Sequence, residues 1–162
     1  MTNEKQLAVK IVLDSWNSRI KEADSLFEGL TDEQLQKEIS PKRNRGIYLL
    51  GHLTAVHDKM LPLLDFEQQL YPELSDIFLS KPDKSAAEMP SAKDLRLYWK
   101  NVNSKLAGHF NNLQAEEWFQ KHTSVSAEDF FKEPHRNRLN VVLGRTSHLS
   151  YHVGQLKLLE NK

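Results

Sequence analysis

The residues best equipped for chemistry lie near the C-terminus, in Ser147-His148-Leu149-Ser150-Tyr151-His152-Val153-Gly154-Gln155-Leu156. Apolar residues recur with helical spacing from Leu139 to Leu159, and no proline interrupts them, so the spacing predicts a helix. Residues four apart on a helix are about one turn apart and about 40° apart in rotation. His148 and His152 therefore share a face, and Gln155 follows on it three residues later. Two imidazoles on adjacent turns are a recurring way to offer two nitrogens to one metal ion. Taken alone, the pair leaves a second reading open, two hydrogen-bonded histidines at the edge of a core. Leu149 occupies the position after His148, where the His-Glu-x-x-His zinc proteases carry their glutamate base, so the motif offers no built-in general base. Gln155 is placed either to orient a water or substrate or to close a hydrogen bond across the bundle. Tyr151 lies about 100° from His152 and is a candidate outer donor or a packing residue.

The chain has seven histidines and no cysteine. Any metal must then be held by His, Asp, Glu and water, and neither a disulfide nor a cysteine nucleophile is available. His52 lies beside an apolar stripe. His57, five residues on, points roughly 140° away. A regular helix cannot bring both to one site, and His52 is the better candidate. His109 reads as a packed or end-of-bundle histidine, and His122 and His135 as exposed loop residues.

Four helices must position these side chains. The first is expected over about Asn3 to Glu28, with Leu13, Trp16, Ile20, Ala23 and Phe27 as its stripe and Gly29 as its C-terminal cap. Thr31 caps a short turn, Asp32 to Lys37, which Pro41 ends. Lys42-Arg43-Asn44-Arg45 is a small basic patch that reads as a solvated loop. The second helix is expected from about Arg45 to Phe66 on Leu49, Leu53, Val56, Met60 and Leu64, with Pro62 kinking or shortening its last turn. From Glu67 to Pro90 no stable period appears. A connection that long is enough chain to cross a bundle lengthwise and let the second and third helices run parallel. Ser91 with Asp94 opens the third helix, which runs to about Asn112 on Leu95, Trp99, Val102, Leu106 and Leu113. Between Gln114 and Arg138, Trp118, Phe119, Phe130 and Phe131 predict a segment packed back as a lid. The fourth helix carries the histidine pair and ends near Glu160. The fold expected is all-α, a four-helix bundle forming a single domain over residues 1–162.

Lysine plus arginine equals aspartate plus glutamate at 22 each among 162 residues, a formal net charge of zero. That argues against sequence-independent nucleic-acid binding and against attraction to an anionic membrane. Charged residues or histidines interrupt every apolar run before it reaches a membrane span. Met1-Thr2-Asn3-Glu4-Lys5 lacks the basic-then-apolar pattern of a secretion signal, so a cytoplasmic protein is expected.

Leu49-Leu50-Gly51-His52-Leu53 together with the His-x-x-x-His-x-Gly-Gln run resembles the DinB/YfiT-like superfamily, over nearly the whole chain in helix order. The resemblance implies an up-down-down-up bundle with a long crossover between helices two and three. It also implies that His52, His148 and His152 bind a divalent ion such as zinc or nickel. Some members transfer low-molecular-weight thiols or isomerise a substrate with a thiol cofactor, so the resemblance implies a thiol S-transferase or a hydrolase using metal-activated water. The substrate would be a small molecule, and a homodimer is consistent with the family. A cysteine-free chain would have to bind its thiol from solution. The competing readings are a non-catalytic bundle that binds a metal or small ligand, and an interaction module with structural histidines.

Overall fold

In the computed structural model, which describes residues 3–86 and 88–161, Asn3 opens the first helix reciprocally. Its side chain accepts the Gln6 backbone N–H while the Gln6 side chain takes the Asn3 N–H, satisfying two donors that a helix start leaves orphaned. Helix α1 spans Glu4–Gly29 and buries Trp16, Ala23, Leu26 and Phe27. Gly29 does not take the left-handed capping conformation expected of it. It is the last helical residue, and Leu30 ends the helix in an extended conformation because its side chain turns into the core. Thr31 caps the short α2, Asp32–Leu35, through a second reciprocal box with Gln34. Met1 and Thr2, part of the stretch read for a secretion signal, lie outside the described residues.

Helix α3 covers Gly46–Asp58 and is buried at every position except His52. The expected helix to Phe66 is interrupted at Lys59, and a further turn, α4, spans Met60–Leu63. Pro62 is the cause, since it has no N–H for the Asp58 carbonyl and its ring crowds that carbonyl. The chain stops in a Schellman arrangement, with Asp65 left-handed (φ 62°) and the Phe66 N–H reaching the Leu61 carbonyl at 3.0 Å.

The crossover is more ordered than its sequence suggests. Buried Asp58 accepts the backbone N–H groups of Leu70 and Tyr71 at 2.8 and 2.9 Å, fixing the chain as it leaves α4. One unpredicted helix, α5, spans Leu74–Phe78 and sinks Leu74 and Phe78 into the core. A single turn is too short to show a period, so only its two buried apolar residues betray it. Helix α6 spans Ala92–Asn112, with the Ser91 hydroxyl capping Asp94 as its sequence indicates. After one 3₁₀ turn at Glu117–Phe119 come α7, Ala127–Lys132, and α8, Arg138–Leu156, whose first turn is capped by Asn137.

The contacts fix how the long helices pass one another. Arg96 donates to the carbonyls of Phe27 and Leu30, Trp99 donates to Asp24, and Phe110 meets Trp16, so α6 descends as α1 rises. His57 meets Trp99 and Asn103, while Phe66 meets His109 and Phe110. Numbering therefore rises together along α3–α4 and α6, which supports the parallel course expected of a long crossover. The core divides along the bundle. One half holds Phe27, Leu50, Leu53, Phe78, Leu95 and Leu149, and the other Trp16, Met60, Leu64, Leu106, Trp118 and Val142.

The lid expected between Gln114 and Arg138 is not what forms. Trp118 is buried against Phe110 in the second half of the core, with Phe119 packed beside it, at the far end from the histidine pair. Phe131 is 89% exposed. The segment plugs one end of the bundle, and hydrophobic burial of the single indole accounts for its position. No helix among the described residues is long and apolar enough to cross a membrane.

Candidate metal centre

His52 is held by the crossover. The Phe78 ring lies against α3 at Gly51, where a Cβ would overlap the ring itself. That close approach places the Phe78 carbonyl 2.9 Å from His52 Nδ1. The Tyr48 hydroxyl, one turn earlier on α3, lies 2.6 Å from the Lys81 carbonyl and 3.2 Å from that of Phe78, pinning the same stretch. Helix α5 is therefore the element that orients His52.

Helix α8 supplies the other two. Leu149, Val153 and Leu156 are buried, which turns the adjoining stripe of His148, His152 and Gln155 toward α3. Thr146 and Ser150 bond back to carbonyls one turn earlier, so these hydroxyls stay within the helix and out of the cleft. His152 Nδ1 lies 2.7 Å from Gln155 Oε1, and the Gln155 amide reaches the Tyr151 hydroxyl at 3.2 Å.

The three Nε2 atoms converge. His148 Nε2 is 3.2 Å from that of His52 and 3.1 Å from that of His152, and a ligand atom from each ring lies within 4.8 Å of the others. A carbonyl can only accept, so the Phe78 contact places the His52 proton on Nδ1 and a lone pair on Nε2. Gln155 Oε1 imposes the same tautomer on His152. His148 can donate from Nε2 to only one of these two. Three imidazole nitrogens crowded this closely fit a shared cation, each within about 2.1 Å of it. Nδ1–H groups tied to oxygen acceptors are the usual outer partners of metal-binding histidines. Burial and the neighbouring histidines pull the His148 pKa down to about 4, and burial lowers that of His152, so both rings are neutral, the state a metal ligand requires.

The remaining histidines are elsewhere. His57 is fully buried between the Trp16 and Trp99 rings, with Nδ1 2.9 Å from Asn103 Oδ1, and burial drives its pKa down to about 3. His109 stacks on Phe66 and bonds Glu67. His122 Nδ1 accepts the Ser124 N–H at 3.3 Å. The basic patch is tied down, with Arg45 paired to Asp83 at 2.7 Å. Sequence reasoning missed the Phe78 carbonyl, because backbone acceptors carry no residue signature. Gly51 beside His52 was a weak signal at best, since Gly108, Gly144 and Gly154 also lie inside helices and meet nothing where a Cβ would stand.

The sequence model of a family described as the DinB superfamily matches residues 16–156, a span that contains all three converging histidines. No curated protein matches the chain.

Proposed function

The chain belongs to the DinB superfamily, and from that premise we propose that it is a divalent-metal enzyme acting on a small molecule, with His52, His148 and His152 holding zinc or nickel. The convergence of three Nε2 atoms, two of them on rings whose Nδ1 is tied to Phe78 or Gln155, carries the reading. An ion bound by three neutral nitrogens keeps coordination positions open and supplies Lewis acidity, which makes a thiol or water nucleophilic near neutral pH.

The protein's own groups favour the thiol. No carboxylate belongs to the histidine cluster among the described residues, so the proton of a bound nucleophile goes to solvent and a weakly acidic nucleophile is at a disadvantage. A thiol starts near pKa 8.5, against about 15.7 for water, and ionises with far less help. The reaction is then S-transfer. The thiol loses its proton to solvent, its sulfur bonds the electrophilic carbon, and the leaving group departs with the displaced electron pair. Tyr151 and Gln155 flank the site and fix the His152 ring, while the substrate approaches from the exposed Tyr151 side. The chain has no cysteine, so the thiol comes from solution, a requirement that the reducing cytoplasm meets. The hydrolytic alternative, with water as nucleophile, predicts turnover without any thiol.

Metal analysis of tag-free protein, followed by a screen of small electrophiles with and without low-molecular-weight thiols, tests the proposal. We expect about one equivalent of zinc or nickel per chain and turnover that requires the thiol. Metal-free protein that takes up no zinc or nickel at micromolar concentration would overturn it.

A further inference from the structure

On α8 one stripe runs through Arg138, Val141, Arg145, His148, His152 and Gln155, in alternating steps of three and four that keep one face. The histidines and Gln155 are accounted for above, and Arg138 lies 3.6 Å from Asp65. Arg145 has no such explanation. Among the described residues it has neither an ion-pair partner nor a hydrogen-bond acceptor, and its Nε is buried. Burial alone acts on this guanidinium and pulls its pKa down, whereas Asp83 raises that of Arg45. A guanidinium stays charged in proteins, and burying even part of one without a counter-ion costs free energy, here at a half-buried side chain.

Its position gives that cost a use. Arg145 stands three residues before His148, about 4.5 Å along the helix axis, on the stripe that carries the two histidines. Its charge reaches both His148 and His57. His148 Nδ1 is likewise buried with no partner. Among the described residues, the neighbourhood of the triad thus has fixed positive charge and an unused donor fork, and no carboxylate belongs to it.

We propose that Arg145 is the anion-binding part of the substrate site, receiving a carboxylate carried by the small molecule about one helical turn from its reacting atom. The planar fork of a guanidinium matches a carboxylate through two parallel N–H···O bonds. A lone arginine balances one negative charge, which favours a carboxylate over a phosphate dianion. The location of the reacting atom rests on the metal reading above, whereas the anion site stands on Arg145 itself.

The buried Nε–H of Arg145 gives a direct readout in a ¹H–¹⁵N spectrum of arginine side chains. It is assigned by its loss in Arg145→Gln and, should that variant fold poorly, in Arg145→Lys, which keeps the charge. In metal-free protein, propionate should move this signal saturably, while propanol and equimolar sodium chloride should not. In zinc-loaded protein, 3-mercaptopropionate should bind at least about tenfold more tightly than 3-mercapto-1-propanol, a gap of about 1.4 kcal/mol. Arg145→Gln should abolish that preference and keep its zinc. A signal unmoved by propionate, or moved equally by chloride, would overturn the proposal and leave Arg145 a solvated structural arginine. Protein that binds no zinc but whose Nε–H still answers to propionate would sink the metal reading and support the anion site.

Discussion

At the scale of single residues, the histidines divide by what each nitrogen touches. His52→Ala, His148→Ala and His152→Ala each remove one converging nitrogen, so metal content should fall to background while helicity by circular dichroism stays unchanged. His109→Ala, whose ring stacks on Phe66 far from the cluster, should keep full metal. Metal retained by any of the three variants would break the triad. Gln155→Ala should weaken metal binding about 10- to 100-fold through loss of the His152 tether. His57 behaves differently, because it is buried neutral. It titrates near 6.5 when unfolded but stays uncharged down to about 3 in the fold. Between those values the unfolded chain binds the extra proton, so stability rises with pH and is lost as pH falls from about 6.5 toward 3. In EDTA, urea unfolding at pH 7.5 and pH 5 should differ by roughly 2 kcal/mol more for the native protein than for His57→Phe. Equal pH slopes in the two proteins would refute this.

Among the elements, the α3–α5 contact matters most to the site. In Gly51→Ala the new methyl meets the Phe78 ring, and either the ring or the helix must move. We expect a loss of about 1–3 kcal/mol in stability, with weaker metal binding because the Phe78 carbonyl shifts from His52. Unchanged metal affinity in a folded Gly51→Ala protein would show that α5 does not set the His52 ring. The long helices were readable because their stripes repeat over four or five turns. Helix α5 was not, since one turn shows no period, and the kink expected of Pro62 falls as early as Lys59 because a proline acts on a carbonyl four residues before it. The supposed lid failed for a related reason. Aromatic content showed that the segment between Gln114 and Arg138 packs, but nothing local says which end of a bundle a Trp118 will fill.

For the whole molecule, the bundle and the membership of its histidine cluster were legible from spacing and motif. The ring tautomers and the isolation of Arg145 were not, because they depend on backbone carbonyls and on the absence of nearby carboxylates in three dimensions. Metal bound as proposed should couple to global stability, since the three histidines come from α3 and α8 and disperse on unfolding. With free zinc at about a hundred times its dissociation constant, the gain is about 2.7 kcal/mol, or roughly 5–11 °C in Tm for a domain this size. Differential scanning calorimetry with and without zinc checks it, and the shift should vanish in His148→Ala.

The contact between His52 and His148 joins residues 96 apart in sequence. Closing a loop that long is slow, so the histidines are expected to meet late, as α3, α5 and α8 pack. An ion bound as proposed would therefore arrive at a finished protein and take no part in guiding the chain to its shape. Refolding rates should be the same in zinc and in EDTA, whereas unfolding should be slower in zinc. On the proposed metal reading, the ion in the site would then be set after synthesis, by whichever divalent ion is exchangeable when the folded chain meets it. The same polypeptide drawn from zinc-replete and nickel-replete cultures should carry different ions.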